Sequence, residues 1–321
     1  LHLTVKYLAL QPKNYIEAIF LVARHIMNII KTSILWLILL NAGNAAALTF
    51  AINPNSDIVG SIQTATVLAD ENFDTIGRKF DVGIYEMIEA NPDVDPHEPA
   101  IGTELVIPTQ FILPSGPRRG IVVNLAEMRL YYFHKDQALV TTHPIGIGRI
   151  DWETPLGKGR ITEKTKDPYW RPPESIRAWY DEHEKYLPDI VPPGPQNPLG
   201  EYAMRLSIPG YMIHGTNTPG GIGIRSSSGC IRMHPEDIES LFYKVSLGDP
   251  VRIVHQPYKI GQHGNRTFIE AHEPLSGEYY ETENHTGTLE ATIAEEAKLP
   301  ISLEEARRAA EHSHGYPTLI N

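Results

Sequence analysis

The sequence predicts a mostly β protein: a β-sandwich or partial barrel, preceded by a small βααβ unit and followed by an α/β C-terminal extension. Three observations predict this class. Short β-branched and aromatic runs fill the middle of the chain, among them Gly120–Leu125 and Met128–Phe133. The 321 residues include 25 glycines and 26 prolines, so turns are frequent. Helical spacing is confined to a few short segments.

Taken in order, the N-terminal region has the three parts of an export signal. Lys31 precedes the apolar run Ile34–Leu40, and the small residues Ala42–Ala47 follow it. The run is about half the length a membrane-spanning helix needs, so cleavage near Ala47 is expected rather than a permanent span. Met27 stands where such a signal would begin, so residues 1–26 read as an over-extended start. Residues 48–63 are polar and irregular and read as a linker.

A compact unit is expected over residues 64–114. Phe73, Ile76 and Phe80 lie at helical spacing, and a second short helix over Tyr85–Ala90 is stopped by Asn91-Pro92. Gly102–Pro108 reads as a turn into a strand. This βααβ order resembles a LysM module, on the residues Asp74-Thr75-Ile76, Ala90-Asn91-Pro92 and Gly102–Pro108. The resemblance implies binding to the N-acetylated glycan of peptidoglycan.

The β domain is expected over residues 118–256. Strands continue at Ala138–Thr142, Gly159–Glu163, Met204–Leu206 and Tyr211–Ile213. Residues 165–200, rich in Pro, Trp and Tyr without period, read as a long covering loop. One amphipathic helix is predicted over Pro235–Val245, with Ile238, Leu241, Phe242 and Val245 on its apolar face. Residues 257–321 form an extension of unassigned role, with a last helix from Leu303 that Ser302 and Glu305 cap.

A formal charge of −11 argues against nucleic acid as a partner, because phosphate binding needs a basic footprint. There is a single cysteine, Cys230. An exported chain ordinarily uses cysteines in disulfide pairs, so a lone thiol points to chemistry. A free thiol has a pKa of about 8.5 and is mostly protonated at neutral pH. A histidine within reach corrects that. His214 ends an apolar strand, and the glycine-rich residues 215–229 can fold back to bring Cys230 beside it. The Gly229 and Cys230 N–H groups are candidates for an oxyanion hole.

The stretches Ile213-His214-Gly215-Thr216-Asn217 and Gly223-Ile224-Arg225-Ser226-Ser227-Ser228-Gly229-Cys230-Ile231-Arg232-Met233 resemble the YkuD-type L,D-transpeptidases, nearest the Gram-negative ErfK, YbiS and YcfS group. The resemblance spans about residues 64–260 and includes Thr154-Pro155-Leu156-Gly157. It implies Cys230 as nucleophile, His214 as proton acceptor and donor, and the Gly215 carbonyl as the group that orients His214. Arg232, Ser228 and Thr216 would face substrate. Ser228 departs from the family pattern, which has a second histidine there. The implied reaction is acyl transfer between peptidoglycan stem peptides in the periplasm, with no cofactor and no metal. The acceptor is a neighbouring stem or an outer-membrane lipoprotein. Hydrolysis of the same acyl-enzyme and a non-catalytic wall-binding role stay open as alternatives.

Overall fold

The computed structural model describes residues 47–276 and 288–321. The export-signal reading falls almost wholly on residues outside that description. Among the described residues, no helix is long and apolar enough to cross a membrane.

The elements run β1 (Leu48–Ala51), β2 (Ile58–Gly60), β3 (Gln63–Thr66), α1 (Phe73–Lys79), α2 (Ile84–Ala90), β4 (Glu104–Ile107) and β5 (Gln110–Ile112). Then come β6 (Gly120–Asn124), β7 (Arg129–Phe133), β8 (Leu139–Pro144), β9 (Ile147–Gly148), β10 (Gly157–Lys166), α3 (Glu174–Glu182), β11 (Tyr202–Leu206) and β12 (Met212–His214). β13 (Arg225–Ser227), β14 (Ile231–Arg232), α4 (Pro235–Lys244) and β15 (Pro250–Val254) complete the β domain. The extension holds β16 (Tyr258–His263), β17 (Arg266–Ala271), α5 (Leu289–Glu296), α6 (Leu303–His312) and β18 (Thr318–Leu319).

The mostly β class holds. A nine-stranded sheet runs β1-β8-β7-β6-β15-β10-β11-β12-β14 and carries the site at its far end. Both faces are covered, as the unbroken apolar run of β6 requires. Ile121 and Val123 face the main core, which α4 closes with Ile238 and Leu241. Val122 faces a second core with Tyr131, Phe133, Val140 and Phe111.

The βααβ order is present, with β3 paired antiparallel to β4 around Phe73, Ile76, Met87 and Leu105. Asn72 caps α1 by accepting from the Thr75 N–H at 2.9 Å, and Thr75 Oγ1 accepts from the Asn72 N–H in return.

Two expectations are corrected. Residues 48–63 are no linker: β1 pairs with β8 from Leu48↔Thr142 to Ala51↔Leu139, and β2 pairs with β5. Leu48 and Phe50 pack into the second core while Thr49 Oγ1 shares a 2.9 Å hydrogen bond with Thr141 Oγ1. That alternation was legible but short. Residues 165–200 contain α3 and an antiparallel bridge between Trp170 and Val191. Pro172-Pro173 and Glu174 are helix-start signals that the surrounding prolines obscured.

Candidate active site

Parallel pairing of β12 with β14 creates the site. Ile213 lies opposite Ile231, and His214 opposite Arg232. Both isoleucines are buried in the main core. Strand alternation therefore turns Met212, His214, Cys230 and Arg232 to the opposite face. Arg205 joins them, because β11 pairs Arg205 with Met212. The crossover between the two strands passes through a short 3₁₀ turn, Pro219–Gly221, and β13. Residues 215–229 thus fold back as expected.

His214 is only 3% exposed, and its Nδ1 lies 2.6 Å from the Gly215 carbonyl oxygen. A carbonyl only accepts, so Nδ1 carries the proton and Nε2 the lone pair. Burial and then the Arg232 charge depress the imidazole pKa to about 3, against the smaller opposite pull of the Gly215 hydrogen bond.

Cys230 is half-buried, with Sγ 3.8 Å from the Gly210 carbonyl. Burial raises its thiol above the usual value, opposed by a hydrogen bond from the Met212 backbone and the charges of Arg232 and Arg205. Both groups are therefore neutral at neutral pH. That pair favours proton transfer at the moment of attack over a resting thiolate–imidazolium pair.

The turn before Cys230 is tightly held. The Gly229 N–H donates to Ser227 Oγ at 3.1 Å, and the Ser227 hydroxyl donates to the Cys230 carbonyl at 2.6 Å. Thr154 Oγ1 donates to the Gly229 carbonyl at 2.8 Å. The Gly229 N–H thus points into the turn in this structure. Gly229 has φ of +102°, and a Cβ there would stand 2.8 Å from Tyr211 Cε1. Only glycine suits the position.

The Arg232 backbone exchanges two 2.9 Å hydrogen bonds with Gly146, and its guanidinium sits half-buried with Nη1 3.5 Å from the Ser226 carbonyl. Ser228 lines a cleft of about 670 Å³ with Trp152, Glu153, Pro209, Gly210 and Tyr211, walled on one side by Ser175 and Ile176 of α3. Thr216 is 4% exposed, and its Oγ1 accepts from the Thr218 N–H at 2.9 Å. Sequence reasoning missed Ser227. Strand alternation from Arg225 was the signal, hidden by three consecutive serines.

Residues 118–253 match the family described as the L,D-transpeptidase catalytic domain, YkuD. The chain is 42% identical to "Probable L,D-transpeptidase YcfS" of Escherichia coli over 239 residues, 72% of this chain and 75% of that protein. The chain belongs to the L,D-transpeptidase family.

Two further relatives from Escherichia coli, "Probable L,D-transpeptidase ErfK/SrfK" and "Probable L,D-transpeptidase YbiS", are each 38% identical. They align over 86% and 82% of this chain, and over 91% and 83% of their own lengths. Among solved structures, an L,D-transpeptidase from Mycobacterium smegmatis aligns at 18% identity over 48% of this chain and 64% of that one, with a TM-score of 0.35. The Gram-negative group named from the sequence is thus the one these relatives represent. As an L,D-transpeptidase, the chain is a transpeptidase enzyme whose matched domain contains both His214 and Cys230.

Proposed function

We propose that this L,D-transpeptidase joins peptidoglycan stem peptides through a thioester on Cys230. His214 Nε2 takes the thiol proton as Sγ attacks the carbonyl of the third, diamino-acid residue of a tetrapeptide stem. A C–S bond forms, and the carbonyl oxygen becomes an oxyanion facing the Cys230 N–H. Collapse breaks the C–N bond to the terminal D-Ala, whose amine leaves with the proton from His214. An acceptor amine then attacks the thioester, gives a proton to His214, and releases the thiol. The acceptor is the side chain of a neighbouring stem, or a lysine of an outer-membrane lipoprotein.

Gly215 holds the imidazole through its carbonyl, Arg232 pairs with a substrate carboxylate, and Ser228 borders the cleft. The βααβ unit is read as a LysM-like glycan-binding module, and the protein as periplasmic after export. No step calls for a cofactor.

One observation carries this reading. The chain's sole thiol lies on the same face of adjacent strands as a buried, neutral histidine whose tautomer a carbonyl fixes. The test incubates purified protein and Cys230→Ala with tetrapeptide muropeptides and separates the products. Crosslinked dimers and free D-Ala are expected from the wild type alone. Tripeptides without dimers would redirect the reading to hydrolysis, and no product at all would overturn it. Mass spectrometry after carbapenem treatment is expected to find the adduct on Cys230.

A further inference from the structure

Away from Cys230, two buried clusters each combine two carboxylates and a histidine. In one, Glu127, Glu270 and His272 surround Lys259, whose Nζ lies 2.8 Å from Glu127 Oε2 and 2.7 Å from Glu270 Oε1. A protein cation already fills that centre. In the other, Asp81, His143 and Asp237 are 4%, 0% and 3% exposed, and one ligand atom from each lies within 4.8 Å of the others.

Among the described residues, no lysine or arginine side chain forms an ion pair with either acid of this second cluster. The nearest guanidinium, Arg129, is committed elsewhere: it forks onto Glu86 at 2.6 and 2.8 Å and donates to the Asp81 backbone carbonyl at 2.9 Å. Asp81 Oδ2 accepts one backbone N–H, from Leu48 at 3.1 Å. Asp237 stands in the first turn of α4. Two acids face each other with one imidazole between them.

The imidazole is the deciding group. His143 Nδ1 lies 3.1 Å from Asp237 Oδ1 and 3.9 Å from Asp81 Oδ2. Neither approach has hydrogen-bond direction, and both ring nitrogens are buried without a hydrogen-bond partner. A nitrogen lone pair and carboxylate oxygens converging without hydrogen bonds are the donor set of a cation. Ligand atoms at 2.0–2.2 Å from a tetrahedral zinc lie roughly 3.3 Å apart. An imidazole among the donors favours a first-row transition ion over Ca²⁺ or Mg²⁺.

We propose that Asp81, His143 and Asp237 form a structural binding site for one divalent transition-metal ion, with Zn²⁺ the best match. The ion would clip together the loop after α1, strand β8 and the first turn of α4. It has no part in the acyl transfer, so its test does not read turnover.

Wild-type protein is analysed for metal as purified, stripped with a chelator, and titrated with Zn²⁺ by calorimetry. One equivalent of Zn²⁺ is expected, with a melting temperature that falls by several degrees on stripping and recovers on readdition. Asp81→Asn and His143→Gln should each lose the equivalent, whereas Cys230→Ala should keep it. Should those two variants fail to fold, Co²⁺ added to stripped wild type decides: visible d–d bands without thiolate charge transfer support the site. Absence of binding heat for Zn²⁺, Co²⁺ and Mn²⁺, with no change in melting temperature, would overturn it. Loss of the metal in Cys230→Ala would overturn it equally.

Discussion

At the scale of single residues, the electrostatics of His214 and Cys230 define how the rate should depend on pH. In the proposed mechanism, His214 must be neutral to accept the thiol proton. With its pKa held at about 3 by burial and Arg232, it stays neutral across the mildly acid range. The acid limb of kcat/KM is therefore expected far below the ordinary histidine value of about 6.5. A half-maximal point near that value, in rates measured from pH about 4 to 9, would contradict this electrostatic account. His214→Gln is expected to lower kcat/KM by about 10²–10⁴-fold, the usual worth of a general base. Gly229→Ala tests the turn itself. A left-handed φ of +102° and a Cβ only 2.8 Å from Tyr211 predict a loss of about 1–3 kcal/mol in denaturant unfolding. A neutral substitution there would mean the turn is looser than its hydrogen bonds imply.

At the scale of elements, the buried pair Arg129–Glu86 fastens α2 to β7. Its two hydrogen bonds, at 2.6 and 2.8 Å, lie between side chains that are 0% and 4% exposed. Burial pushes the Glu86 carboxyl up even beside the guanidinium, so the pair is held at a desolvation cost. Glu86→Ala strands a buried cation and should cost about 3–5 kcal/mol. Glu86→Leu with Arg129→Met should regain most of that loss, and equilibrium unfolding of the three proteins separates these outcomes.

Neither residue announced its partner in the sequence, because a pairing across 43 positions depends on how the sheet folds. What was legible was local: the helical spacing of Phe73, Ile76 and Phe80, the Asn91-Pro92 stop, the apolar face of α4, and the apolar runs of β6 and β7. The pair proposed to carry the chemistry was singled out from the sequence as well, since a lone cysteine and a strand-ending histidine stand within a short span. β1 and α3 were missed because each is short and flanked by stronger turn signals. Ser227 and the cluster at His143 were missed because they are assembled from residues whose types are common and whose proximity is tertiary.

Across the whole molecule, His272 links the C-terminal extension to the βααβ unit and to the β domain. Its Nδ1 lies 2.8 Å from Glu89 Oε2 on α2, and its Nε2 3.0 Å from Glu270 Oε1 on β17, beside Lys259 and Glu127. Glu270 also accepts from the Ile112 N–H on β5. Burial opposes the imidazolium, but the two carboxylates outweigh it and raise the His272 pKa to about 10. The unfolded chain would release that proton near pH 6.5, the ordinary value. Below that pH the stabilisation is fully present, because both states are protonated and the folded one holds its proton in two ion pairs. As pH rises from there through about 10, the unfolded state is already neutral while the folded state must still bind a proton, and the contribution is lost. His214 acts on the other side: its depressed pKa makes the folded state resist protonation, so stability falls as pH drops from 6.5 towards about 3. Stability should therefore decline on both sides of a near-neutral optimum, for two residues on different parts of the chain. His272→Gln is expected to flatten the alkaline decline and leave the acid one, measured as unfolding free energy in urea across pH. An alkaline slope unchanged in His272→Gln would mean that the extension is held to the body of the protein by its apolar contacts alone, without this charged link.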